Sequence, residues 1–138
     1  MKEENITIFE AAREDSARKH ILVVDDERVG LKLMKTYLKD DYEVSLVDSG
    51  EGALEFMQKH KPDLVLLDYM MPTYNGADVL KKMRDNQQTE DIPVFFLTGA
   101  TDNAAITECL SYKPEGYIVK PIGKTALLDK LKNFFNGK

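Results

Sequence analysis

From His20 onward, short apolar runs alternate with stretches in which apolar residues return every three or four positions. Ile21-Leu22-Val23-Val24, Leu64-Val65-Leu66-Leu67 and Val94-Phe95-Phe96-Leu97 are apolar throughout, as expected of parallel strands buried on both faces. Residues 42–47 and 117–119 add two further strands. Between these runs, Val29, Leu31, Leu33, Met34, Tyr37 and Leu38 recur at helical spacing. Ser49 is placed to cap a second helix carrying Ala53, Leu54, Phe56 and Met57. A third helix holds Val79, Leu80 and Met83, and a fourth, with Asp102 as its cap, holds Ala105, Ile106, Cys109 and Leu110. The last runs from about residue 124 to 135 with Leu127, Leu128, Leu131, Phe134 and Phe135 as its buried stripe. Five strand–helix units in succession predict an α/β fold, a doubly wound parallel sheet with helices on both faces. Right-handed crossovers favour the strand order 2-1-3-4-5.

Residues 1–19 break this pattern: they are charged and have few apolar positions. Thr7-Ile8-Phe9-Glu10 fits a capping box, with Thr7 as cap and Glu10 reaching back. The expectation is a tail or a short helix from Ile8 to about Arg18, ahead of a single domain over residues 20–138. So short an extension is too small for a DNA-binding or catalytic domain of its own.

Composition narrows the class without changing the fold. The chain of 138 residues is 43% hydrophobic and 31% charged, ordinary for one globular domain. A net charge of −5 argues against binding nucleic acid directly. Cys109 is the single cysteine, which excludes an internal disulfide. No run approaches the ~20 apolar residues needed to cross a bilayer, and the first residues lack the pattern of a signal peptide. The expectation is a cytoplasmic domain with no membrane partner.

In open parallel sheets, ligands bind beyond the carboxyl ends of the strands. Here those positions are Asp25 and Asp26 after the first strand, Asp68 after the third, Thr98 and Gly99 after the fourth, and Lys120-Pro121 after the fifth. The predicted order gathers three carboxylates, a hydroxyl and an amine on one edge. Clustered carboxylates repel, so each must take a proton or find a cation. Mg²⁺ suits oxygen ligands and leaves room for water and phosphate. Such a set suits phosphoryl transfer, in which the protein positions groups and neutralises charge, and a carboxylate can itself form an aspartyl phosphate. Asp68 is the candidate nucleophile, because Asp25 and Asp26 stand side by side on the neighbouring strand, placed to hold metal.

From His20 to the C-terminus the chain resembles the receiver domain of two-component response regulators, whose single-domain type is the chemotaxis regulator and whose fold is flavodoxin-like. The resemblance is carried by Asp25-Asp26, by Asp68-Tyr69-Met70-Met71-Pro72 with Gly76, by Thr98-Gly99-Ala100, and by Tyr117 three residues before Lys120-Pro121. It implies that Asp68 is the phosphoacceptor in a phosphorelay. Asp26 and Asp68 would ligate Mg²⁺ directly, Asp25 mainly through water, and Met70 through its backbone carbonyl. Lys120 would pair with a phosphoryl oxygen, Thr98 would move to hydrogen-bond the phosphoryl group, and Tyr117 would swing into the space it leaves. The peptide bond before Pro121 would be cis. The implied partners are a histidine kinase or phosphotransfer protein as donor, and a protein target at the face of the fourth helix, fifth strand and fifth helix. Homodimerisation on phosphorylation is a further expectation. The chain would be a signalling phosphoacceptor that catalyses its own phosphorylation and dephosphorylation rather than an enzyme. Met70 and Ala100 occupy two positions that often tune phosphoryl lifetime in the family, and neither side chain can orient a water, which implies slow self-dephosphorylation.

Three alternatives stay open. A binding module that works without phosphorylation would not need the full acidic set. An aspartate-based phosphatase would want a second acid where Met70 stands. A flavin protein would want a phosphate cradle where Asp25-Asp26-Glu27 stands. His20 and His60 lie near strand starts, opposite the proposed site, and Cys109 reads as a small core residue. Asn75-Gly76 reads as a turn, and Gly99 as a position that leaves room for a donor or merely eases a turn.

Overall fold

The computed structural model of the chain describes residues 8–10, 18–99, 107–108 and 110–137. Its strands are β1 (Ile8–Glu10), β2 (His20–Val24), β3 (Glu43–Val47), β4 (Leu64–Asp68), β5 (Val94–Thr98) and β6 (Gly116–Val119). The helices are α1 (Arg28–Leu38), α2 (Gly50–Lys59), α3 (Gly76–Arg84), α4, of which residues 107, 108 and 110 are described, and α5 (Lys124–Asn136). The six strands form one sheet in the order β1-β3-β2-β4-β5-β6. β2 to β6 are parallel and carry the expected 2-1-3-4-5 order.

The central strands β2, β4 and β5 are buried on both sides because their residues alternate between two cores. Leu22, Val24, Val65 and Leu67 face one way and pack with Phe56 of α2 and Leu80 of α3. Ile21, Val23, Leu64 and Leu66 face the other and pack with Leu31 of α1 and Leu127 of α5. The helix caps follow local chemistry. Ser49 Oγ accepts the Gly52 N–H at 2.9 Å. Asn75 and Asp78 close a reciprocal capping box that starts α3, with bonds of 2.9 and 3.1 Å. Asn75-Gly76 is therefore the start of a helix rather than only a turn.

The N-terminal segment departs from expectation. Ile8–Glu10 is a strand, not helix, and pairs antiparallel with the outer edge of β3, Ile8 opposite Val47 and Glu10 opposite Leu46. A lone short helix with no face to bury is marginal in water. The free edge of β3 offers unpaired backbone groups that an extended segment satisfies. Thr7, the proposed cap, lies outside the described residues, as do Asp102, Ala105, Ile106, Cys109 and Ala100.

Two helical stripes are wider in the sequence than in the structure. In α1, Leu31, Met34 and Leu38 are buried, whereas Val29 is 83% and Leu33 48% exposed. Leu110 is half exposed. Arg84 received no role from sequence, yet its guanidinium donates to the carbonyls of Glu90, Ile92, Tyr112 and Lys113 at 2.9–3.3 Å. It ties the end of α3 to the turns that lead into β5 and β6. His20, at the start of β2, lies 2.7 Å through Nε2 from Ser45 Oγ, and His60 caps the end of α2.

Candidate functional site

The backbone ladder runs one residue past several strands and sets the site. The Asp25 N–H donates to Val47 C=O at 3.2 Å, Tyr69 N–H to Leu97 C=O at 2.9 Å, and Lys120 N–H to Thr98 C=O at 2.7 Å. Asp25, Asp68, Thr98 and Lys120 are thereby brought to the same edge of the sheet. Asp25, Asp68 and Thr98 are buried, and Asp26 is exposed. One carboxylate oxygen from each of Asp25, Asp26 and Asp68 lies within 4.8 Å of the others. The Lys120 ammonium reaches between two of them, 3.3 Å from Asp68 Oδ1 and 3.5 Å from Asp25 Oδ2. Asp25 Oδ1 also accepts the Glu27 N–H at 2.9 Å. The Lys120–Pro121 peptide is cis.

Above this group opens a cleft of about 360 Å³ lined by Asp26, Glu27, Asp68, Met70, Gly99 and Lys120. Met70 is 65% exposed in the loop after β4, and Tyr117, on the outermost strand β6, is 39% exposed. A Cβ added at Gly99 would meet nothing within 4 Å among the described residues.

Burial, followed by the charge of Asp25, pushes the Asp68 carboxyl up from 3.8 to about 6, against the opposing pull of Lys120. Burial pushes the Lys120 ammonium down, but Asp68 and Asp25 outweigh it and its pKa is raised. Three acids with one lysine leave the cleft short of positive charge. The donor set is all oxygen, and two of its members are buried, which fits a hard divalent cation of the Mg²⁺ type.

Two glycines that shape the site carry meaning only in three dimensions. A Cβ at Gly30, in α1, would lie 2.9 Å from Asp25 Oδ2. A glycine inside an otherwise amphipathic helix, where it costs ~1 kcal/mol relative to alanine, was the available signal. Gly30→Ala is expected to push the Asp25 carboxylate off its place and weaken Mg²⁺ binding several-fold, measured by titration, while α1 itself gains helix propensity. Undiminished Mg²⁺ affinity would show that the contact does not constrain Asp25. Gly76 lets α3 start against the loop after Asp68: a Cβ there would lie 2.7 Å from the Asp68 carbonyl oxygen and 2.7 Å from the Phe96 ring.

The geometry agrees with independent likenesses. The response regulator receiver domain family matches residues 21–132. A two-component response regulator of rice, ORR4 (Oryza sativa subsp. indica), is 33% identical over 85% of this chain. The chain spans less than two thirds of the length of several curated relatives that it matches, 59% in the rice case. Among solved structures, the chemotaxis protein CheY4 of Vibrio cholerae superposes with a TM-score of 0.80 at 30% identity, covering 85% of this chain and 98% of that one. The receiver domain of the sensor histidine kinase PA1611 of Pseudomonas aeruginosa PAO1, solved with a magnesium ion in its active site cleft, shares the fold at 24% identity and a TM-score of 0.79, covering 88% of this chain and 100% of that one. Acids, lysine and hydroxyl thus meet on a sheet that this family shares, and the chain belongs to the response regulator receiver domains of two-component signalling.

Proposed function

We propose that Asp68 is the residue that receives the phosphoryl group, from a phosphohistidine on a histidine kinase or phosphotransfer protein. The observation that carries this is the Lys120 ammonium held between Asp68 and Asp25 under an open, oxygen-lined cleft. A carboxylate oxygen of Asp68 attacks phosphorus in line, the phosphorus–nitrogen bond breaks, and the imidazole leaves with its electron pair and takes a proton. Lys120 holds a phosphoryl oxygen as charge builds on it. Asp26, Asp68 and the Met70 carbonyl would hold Mg²⁺, with Asp25 acting mainly through water. The ion, when bound, supplies the remaining positive charge on the phosphoryl oxygens. The domain promotes its own phosphorylation and dephosphorylation in this way, as a signalling phosphoacceptor.

The donor's approach is served by the exposed Val29 and Leu33 of α1, which line a hollow of about 410 Å³ that Asp25 and Lys120 also border. After transfer, Thr98 moves toward the phosphoryl group and Tyr117 turns inward. The face of α4, β6 and α5 then changes its affinity for a protein target or for a second copy. Residues 20–138 make up this receiver, and residues 1–19 are an extension to it. The domain works in the cytoplasm; no helix among the described residues is long and apolar enough to cross a membrane.

Incubation with acetyl phosphate and Mg²⁺ tests the assignment. One phosphoryl group is expected, mapped to Asp68 by mass spectrometry, and a label on any other residue would overturn it. With Met70 exposed and unable to act as a base, the aspartyl phosphate is expected to outlast minutes in purified protein. A half-life of seconds would show that another group activates water.

A further inference from the structure

Tyr69 follows Asp68 directly, and its backbone is fixed on both sides. Its N–H donates to Leu97 C=O at 2.9 Å, and its C=O accepts the Gly76 N–H at 2.8 Å. The close approach at Gly76, 2.9 Å from a Cβ position there to Tyr69 Cα, leaves this turn no room to drift. The ring sits edge-on to Phe96 with centroids 6.3 Å apart. The hydroxyl then reaches out and donates to Glu108 Oε1 at 2.7 Å. Glu108 belongs to α4. One short side-chain bond therefore joins the residue beside Asp68 to α4, the helix that follows β5 in the chain.

We infer that the Tyr69–Glu108 hydrogen bond is a latch that holds α4 in its unphosphorylated position, with Tyr69 as a positioning residue for the switch. The inference rests on the reading of Asp68 and Thr98 given above. The donor end is held by backbone hydrogen bonds to β5 and to the first residue of α3. The acceptor end rides on α4, whose first described residue, Thr107, stands nine positions after Thr98 in the chain. Drawing Thr98 toward a phosphoryl group moves Glu108 relative to a fixed hydroxyl. A hydrogen bond of this kind is lost by about 3.6 Å, so a displacement of roughly 1 Å opens it. Charge acts in the same direction. A phosphoryl group adds about −1.5 to −2 one residue from the tyrosine that Glu108 binds, and like charges separate. A contact made only in the unphosphorylated state opposes phosphorylation, and by linkage its removal favours the phosphorylated state by the same factor.

The test measures the affinity of the full chain, with Mg²⁺, for beryllofluoride, a stable mimic of the phosphoryl group. Tyr69→Phe keeps the ring and deletes the donor, and Glu108→Ala deletes the acceptor. Each is expected to bind the mimic roughly two- to five-fold more tightly than the parent, the scale of one partly solvated hydrogen bond. The double variant is expected to bind no more tightly than either single one, and Glu108→Gln, which keeps an acceptor oxygen, to fall nearer the parent. Thermal unfolding of each variant supplies the control, since a merely structural bond changes stability and leaves mimic affinity alone. Unchanged affinities, or effects of the two substitutions that add, would overturn the latch. A parent chain that binds no beryllofluoride would overturn the reading of Asp68, and the latch with it.

Discussion

Asp68→Asn is expected to abolish phosphorylation by acetyl phosphate and, at the same time, to make the protein more stable at neutral pH. The first effect is chemical: an amide offers no nucleophilic oxygen for an acyl phosphate. The second follows from the environment of the acid. Burial and Asp25 raise the Asp68 carboxyl from 3.8 to about 6. The folded chain therefore binds this proton more tightly than the unfolded chain. The contribution of Asp68 to stability is fully present below 3.8 and is lost as pH rises through about 6. A shift of this size corresponds to ~3 kcal/mol at most, and residual solvation together with the lost Lys120 contact reduces it to about 1–3 kcal/mol. Denaturant unfolding of the two proteins without metal should show curves that coincide near pH 4 and separate by pH 7, the asparagine variant being the more stable. Full phosphoryl incorporation into Asp68→Asn would remove Asp68 as acceptor. An asparagine variant less stable than the parent at pH 7 would show that the acid is better compensated than its surroundings indicate.

Removing divalent cations is expected to stop phosphorylation of the parent altogether, and the same site makes Mg²⁺ binding depend on pH. Above about pH 6 the Asp68 carboxylate is charged and offers its oxygen to the ion beside those of Asp25 and Asp26. Below that, Mg²⁺ must displace the Asp68 proton, so its apparent affinity should fall by up to about tenfold per pH unit. At a hundredfold excess over its Kd, Mg²⁺ should stabilise the fold by about 2.7 kcal/mol. In Asp68→Asn both the stabilisation and the pH dependence near 6 should largely disappear. Calorimetric Mg²⁺ titrations at pH 5 and pH 7.5 would check this. Equal affinities at the two values would mean that Asp68 is not a ligand.

How far the site was legible depended on the range of the interactions that form it. Asp25, Asp68, Thr98 and Lys120 could be placed because each follows an apolar run that is itself a strong local signal, and a parallel sheet turns strand ends into neighbours. The N-terminal strand was misread for the same reason. Thr7-Ile8-Phe9-Glu10 carries a local helix signal, whereas the edge of β3 that claims residues 8–10 lies more than thirty positions away. Val29 and Leu33 repeat with the buried residues of α1, and periodicity could not tell that this flank of the helix opens on the cleft side rather than the core.

The sequence alone determined the alternation of strands and helices, the strand order and the acids, hydroxyl and lysine gathered at one edge, because these rest on spacing along the chain and on one topological rule. Only the tertiary structure decided that Gly30 leaves room for the Asp25 carboxylate, that Gly76 admits α3 against the loop after Asp68, that Arg84 ties two turns together and that Tyr69 reaches Glu108. Each of these is a contact between specific atoms of residues remote in the chain or on different elements. Residue type and periodicity place residues on helices and strands, but only packing brings a given atom within contact of its partner.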